Sequence, residues 1–235
     1  MLADRAVKKL STKATVIPRI LPRGRHKLDP KLVAASQRQR ILEAMTTLVA
    51  DKGYAQVTIG DVVKRAGTAK RTFYDHFEDK LQCFLAALDA TTETLLASGR
   101  RMFAVSGGVR ERCEYALRGY IALLVSMPNT AKVFYLEAMA AGPEAVTRRN
   151  DVQMKFARHI VGLSRAAAQE GHGQELSELH ALGAVGAVHQ LIYAHLHEHG
   201  PDSLLEISDD VVELGVAFLT VKMPTRPTRR KRAAR

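Results

Sequence analysis

Tryptophan is absent from the 235 residues, aromatic side chains of every kind reach only 6%, and there are two cysteines and eight prolines. A chain so poor in helix breakers, and rich instead in Ala, Leu and Val, favours helices over sheet. No apolar run approaches the roughly 18 residues needed to cross a bilayer, and the basic start lacks the apolar centre of a secretory signal. The expectation is a cytoplasmic protein with no membrane partner. Cys83 and Cys113 each fall in an apolar helical pattern, which suits reduced core residues better than a bridge or a metal pair. Catalytic signatures are missing too. No glycine-rich phosphate loop follows a strand, and neither G-x-S-x-G nor H-E-x-x-H occurs; residues 197–199 read H-E-H. His195 and His199 stand one helical turn apart, yet no carboxylate or cysteine completes a ligand set, and histidine is favoured at a helix C-terminus for its own sake. Neither a metal nor a cofactor is expected.

Charge is plentiful but unevenly placed. The formal net charge is +11, with +7 in residues 1–37, +6 in residues 224–235, +1 in residues 38–90 and −3 in residues 91–223. Positive charge on the two ends can neutralise phosphates at little folding cost. Residues 1–34, with Pro18, Pro22, Gly24 and Pro30, read as a basic arm, and Arg23, Arg25 and Lys27 are its candidate contacts to a minor groove. Residues 224–235 read as a basic tail.

The most informative stretch is T-I-G-D-V-V-K-R-A-G-T-A-K-R-T-F-Y-D-H-F, from Thr58 to Phe77. Thr58 suits an N-cap, with Asp61 placed to bond back to it. Ile59, Val62, Val63 and Ala66 recur with helical period and form one buried stripe. Gly67 can take the left-handed conformation that closes a helix, so a second helix starts near Thr68 or Ala69. Phe73 and Phe77 face the same core, which leaves Lys70, Arg71, Thr72 and Tyr74 on the front. Such a front reaches base edges and phosphates in a major groove.

Together with the helical pattern from Gln39 to Asp51, the G-Y-A-Q-V-T-I run from Gly53 and D-K-L from Asp79, this stretch resembles the TetR-type transcriptional regulators. The resemblance covers about fifty residues closely. It implies that Lys70, Arg71 and Thr72 face bases, and that Thr58, Tyr74, His76 and Lys80 hold the phosphate backbone. Gly60 removes one contact that some relatives make, Thr68 replaces a small apolar residue, and Asp75 brings a negative charge to the recognition segment. The implied fold class is all-α, with an N-terminal three-helix helix-turn-helix DNA-binding domain over residues 35–82 and a C-terminal helical ligand-binding and dimerisation domain over 83–223.

Downstream, a helix starting at Asp79 carries Leu81, Phe84, Leu85 and Leu88. A second, from Val109, stops before Pro128, and shorter patterns run through Val133 and from Glu144. The segments Leu176 to His199 and Ser208 to Lys222 are apolar on more than one face and contain Gly183, Gly186 and Gly215, where helices approach closely. Two copies of that pair would form a four-helix interface, so a homodimer on a two-fold stretch of double-stranded DNA is expected. Tyr120, Met127, Phe134, Met139, Phe156, His159, His189 and Tyr193 are candidates to line a pocket for a small, largely apolar effector. The functional expectation is a repressor released from a palindromic operator by that effector. A helical small-molecule-binding enzyme and an architectural DNA-binding protein without effector are the alternatives.

Overall fold

Asp29 opens the first helix by accepting a hydrogen bond from the Lys31 amide at 2.9 Å, with Pro30 in the first helical position. Proline is well placed there, since the amide it lacks would have no partner within the helix. Helix α1 therefore runs Pro30–Lys52, several residues earlier than the expected boundary, and residues 30–34 belong to the helix rather than to an arm. The computed structural model describes residues 29–103 and 107–220, so Arg23, Arg25, Lys27 and the 224–235 tail lie outside the described residues.

Helices α2 (Ile59–Ala66) and α3 (Lys70–Tyr74) come next, then the long α4 (Lys80–Phe103). Ile41, Met45, Val49, Val62, Ala66, Phe73 and Phe77 close the core of this three-helix unit, with Phe73 fully buried. That core does not stop at the unit's edge. Cys83, Phe84, Leu85 and Leu88 on α4 extend it without interruption to Ile121, Leu124, Phe134 and Ile192 of the body, so one apolar mass joins the two parts. A shared core transmits displacement, because close-packed interiors have few voids to absorb it.

The body contains α5 (Val109–Ser126), α6 (Pro128–Lys132), α7 (Pro143–Gln169), α8 (Glu178–His199) and α9 (Ser208–Thr220). Pro128, expected to stop a helix, also starts one. Beyond α6 the backbone widens into a π-helical turn over Val133–Glu137, and a 3₁₀ segment over Pro201–Ile207 joins α8 to α9. No strand occurs among the described residues. None of the described helices is long and apolar enough to cross a membrane.

The three glycines of α8 and α9 have contrasting surroundings. A Cβ at Gly215 would lie 2.4 Å from Leu117 Cδ1, so α9 meets α5 there within one chain, and the expected approach between subunits at this glycine is corrected. A Cβ at Gly183 or Gly186 would meet nothing within 4 Å. Leu179, 76% exposed, and Leu191, 39% exposed, lie on the same helix as these open positions.

Candidate nucleic-acid interface and helical cavity

The turn between α2 and α3 is built as its sequence dictates. Thr58 Oγ1 accepts from the Asp61 amide at 3.2 Å, and Asp61 Oδ2 accepts from the Thr58 amide at 2.9 Å, a closed capping box. The Thr58 hydroxyl also donates to Asp61 Oδ2 at 2.7 Å, and Lys52 Nζ lies 2.8 Å from the same oxygen. These bonds hold the Asp61 carboxyl well below the usual carboxylate range, with Lys52 as the largest cause. Gly67, at φ 62° and ψ 41°, takes the left-handed conformation and reverses the chain.

Beyond the turn lies a helix of five residues with its cationic side free. Lys70 and Arg71 are exposed, Tyr74 is 50% exposed, Thr72 is half-buried, and Phe73 anchors the helix from behind. His76 is half-buried with its ring 6.2 Å from Phe77. Arg38 lies with its guanidinium 5.4 Å from the Phe77 ring centre. Lys70, Arg71, Thr72 and Tyr74 thus share one short segment. Thr58 and Lys80, expected to reach phosphates, have internal work as well. Lys80 Nζ donates to the Tyr54 carbonyl at 3.1 Å and sits 4.3 Å from the Tyr54 ring centre. An ammonium has three donors, so this bond leaves two for other partners.

Tyr54 is where the three-helix unit meets the body. Its amide donates to Glu137 Oε2 at 2.9 Å, its carbonyl accepts from Lys80, and its ring packs 4.8 Å from Phe84. Glu137 ends the π-helical turn that also carries Phe134 and Tyr135. The sequence alone gives no sign of this contact, since it joins residues 83 positions apart.

Phe134 and Tyr135 line a partly open cavity of about 90 Å³ between α5, α7, α8, α9 and the π turn. Its wall is apolar almost throughout and mixes small residues, Ala116, Ala184 and Gly215, with Leu117, Phe156, Val188 and Phe218. Of the residues anticipated as lining, Tyr120, Phe134, Phe156 and His189 lie on this wall. Met127, Met139, His159 and Tyr193 do not. Met139 is 55% exposed, His159 Nδ1 bonds the Lys155 carbonyl at 2.7 Å, and Tyr193 stacks on His197. Met127 sits at the junction of α5 and α6. Cys113, assigned to the core, is on the wall, where burial pushes its thiol up to about 11; burial takes Cys83 to about 12. Neither thiol ionises near neutral pH. His195, the other half of the histidine pair, bonds the Ser203 carbonyl at 3.1 Å.

Three of the polar residues on the cavity wall, Tyr120, Tyr135 and His189, adjoin one another. Tyr120 and Tyr135 share a hydrogen bond of 3.0 Å between hydroxyls, and burial raises both phenols, Tyr120 to about 12. The His189 ring packs 4.3 Å from Tyr135, and Arg149 Nη2 lies 3.0 Å from its Nε2 and 3.2 Å from its Nδ1. Burial first, and the Arg149 charge second, lower His189 from 6.5 to about 3. An imidazole so lowered is neutral in the folded chain and protonated in the unfolded one between those values. Its contribution to stability is complete above pH 6.5 and declines as the pH falls toward 3, by up to about 1.4 kcal/mol per pH unit. Chemical denaturation across pH 7 to 4 is expected to show that slope, and His189→Phe to flatten it. An unchanged slope would mean that other groups set the acid limit.

Comparison with known proteins places these features. Residues 41–87 match the family model described as bacterial regulatory proteins, tetR family. The HTH-type transcriptional activator FasR of Mycolicibacterium smegmatis is 26% identical over 99 residues, which is 42% of this chain and 45% of that protein. The chain thus spans less than half the length of that curated relative. The fatty acid metabolism regulator protein of Bacillus subtilis is 19% identical over 180 residues, 76% of this chain and 93% of its own length. Among solved structures, FadR from Bacillus subtilis in complex with stearoyl-CoA superimposes with a TM-score of 0.68 at 19% identity, over 77% of this chain and 98% of that one. FadR from Bacillus halodurans gives 0.69 at 19% identity, over 81% and 97%. At that identity the two structures speak for the fold.

Proposed function

We propose, from the premise that this chain belongs to the TetR family of bacterial regulatory proteins, that it is a homodimeric DNA-binding regulator whose operator affinity falls when a long acyl chain occupies the helical cavity. One observation carries the reading. Phe73, which backs the free cationic helix front, and Phe134 and Tyr135, on the wall of an apolar cavity of about 90 Å³, belong to one continuous core. That volume is below the roughly 300–1,000 Å³ of small-molecule sites, so a long chain has to widen the cavity as it enters. A wall of Leu, Ile, Val, Phe and Ala with three adjoining polar residues suits a flexible hydrocarbon with a polar end. That the Bacillus subtilis neighbour was solved with stearoyl-CoA supports the same ligand class.

On DNA, Lys70, Arg71 and Thr72 are the base-facing groups, and Thr58, Tyr74, His76 and Lys80 the phosphate-facing ones. A second copy packs against the α8 face that bears Leu179, Gly183 and Gly186 and presents the second recognition helix. Two such helices reach successive major grooves when their separation is about 34–36 Å. The effector acts by favouring a different separation, and it can do so only by binding the two arrangements unequally. The route runs through the π turn: a chain pressing on Phe134 and Tyr135 moves Glu137, and Glu137 holds the Tyr54 amide.

Purified dimer titrated onto its operator, with and without palmitoyl or stearoyl ligands, tests this. Operator affinity is expected to fall by about 5- to 150-fold, the range of a typical coupling energy, and the melting temperature to rise with ligand concentration. Salt-dependent retention of a palindrome with no response to any acyl ligand would remove the effector half of the proposal. Turnover of a bound acyl compound with no retention of DNA would favour an enzyme instead.

A further inference from the structure

Arg149 is an arginine without an acid. On α5 and α7, Arg112, Arg118, Arg148, Arg158 and Arg165 each lie within ion-pair distance of a carboxylate: Glu170, Glu114 and Asp209, Asp89, Glu178, and Glu175 respectively. Among the described residues Arg149 has no such pair. Its neighbours are the His189 ring and, at 4.0 Å, the Met139 sulfur, both uncharged, and its Nε is buried with no hydrogen-bond partner. Burial lowers the guanidinium below its usual range. Arg149 is half-buried, and a cation partly withdrawn from water without a counter-ion carries a cost that an anion bringing hydrogen-bond acceptors relieves.

Position says where that anion comes from. Gln153, Phe156 and Ile160 on α7 line the cavity, and Arg149 continues their stripe by one turn toward the helix start. His189, also on the cavity wall, touches the guanidinium directly. Arg149 itself stands just beyond the wall, one helical turn from Gln153 and against His189, so the end of a chain lying along this stripe comes within reach of it. We infer that Arg149 receives the terminal carboxylate of the effector, so that the ligand is a free long-chain fatty carboxylate rather than its neutral ester or its thioester. The inference rests on the acyl-chain reading above and narrows it. A carboxylate satisfies the guanidinium with two parallel hydrogen bonds. An ester or thioester carbonyl offers an acceptor without charge, and the phosphates of a coenzyme thioester lie many bonds beyond the acyl end.

Calorimetric titration of the intact protein with palmitate, methyl palmitate and palmitoyl-CoA, repeated on Arg149→Gln and Arg149→Lys, decides it. Wild type is expected to bind palmitate about ten- to hundredfold tighter than the methyl ester, the span of a charge-assisted pair. Arg149→Gln removes that preference by weakening palmitate while leaving the ester's affinity in place, and Arg149→Lys restores part of it. Unchanged ester binding reports an intact fold and cavity. Should Arg149→Gln fail to fold, the wild-type comparison of palmitate with its ester still decides. Equal wild-type affinities for the two, or equal loss of both in Arg149→Gln, overturn the carboxylate assignment and leave the acyl-chain reading standing. The same holds for palmitoyl-CoA binding tighter than palmitate and insensitive to Arg149→Gln. Failure of all three ligands to bind wild type removes both.

Discussion

Replacing Lys70 and Arg71 together with alanine is expected to lower affinity for the operator by about 30-fold to 20,000-fold. A good side-chain contact to a base is worth about 1–3 kcal/mol of discrimination, and two adjacent ones supply about 2–6 kcal/mol when they act independently. The double substitution should cost little stability. Both side chains are exposed, Phe73 holds the helix from behind, and exposed positions of this kind usually change stability by no more than about 0.5 kcal/mol. Selectivity over random duplex is expected to fall with affinity, because binding to random sequence depends on charge alone and loses only two cations. Fluorescence anisotropy with an operator duplex and a scrambled control reads both quantities. A variant that keeps the operator preference of wild type would place the base-reading surface elsewhere.

Glu137→Ala is expected to separate ligand binding from DNA binding. In wild type the carboxylate is the acceptor for the Tyr54 amide, and Tyr54 is held on its other sides by Lys80 and Phe84 of α4. Alanine leaves that half-buried amide without its partner, a cost of about 1–3 kcal/mol, and cuts the only side-chain hydrogen bond described between the π turn and the start of the helix-turn-helix. Acyl-ligand affinity should stay near wild type, since Glu137 is not on the cavity wall. The ratio of operator dissociation constants with and without ligand should shrink toward one. Glu137→Gln, which keeps an acceptor oxygen, should preserve most of the ratio. An undiminished ratio in Glu137→Ala would mean that the shared core around Phe84 and Leu88 carries the coupling alone.

Local chemistry makes the DNA-facing half of the molecule readable. The capping box at Thr58, the left-handed Gly67 and the buried Phe73 and Phe77 depend on residues a few positions apart, so a short stretch of sequence states them completely. The early start at Pro30 is harder to read, because proline ends a helix as readily as it begins one, and the Asp29 cap decides between the two. The π turn over Val133–Glu137 has no local signature and arises where α6 packs between α1 and the body. The cavity is half legible for a different reason. Aromatic residues mark where a wall has bulk, and Tyr120, Phe134, Phe156 and His189 are on it; the small residues Ala116, Ala184 and Gly215 are on it too, Gly215 because α9 there meets α5 closely. Alanine and glycine are too common in helices for such positions to be picked out before the helices are assembled. The same holds for Glu137 and Tyr54, whose meeting depends on the whole chain between them.

His189 has one more consequence. Because its ring takes no proton until the pH nears 3, the charge at that end of the cavity is set by Arg149 alone over the whole range in which cells live. Acidity in that range leaves the imidazole at the cavity wall as it is, so His189 adds no pH dependence of its own to what the cavity accepts.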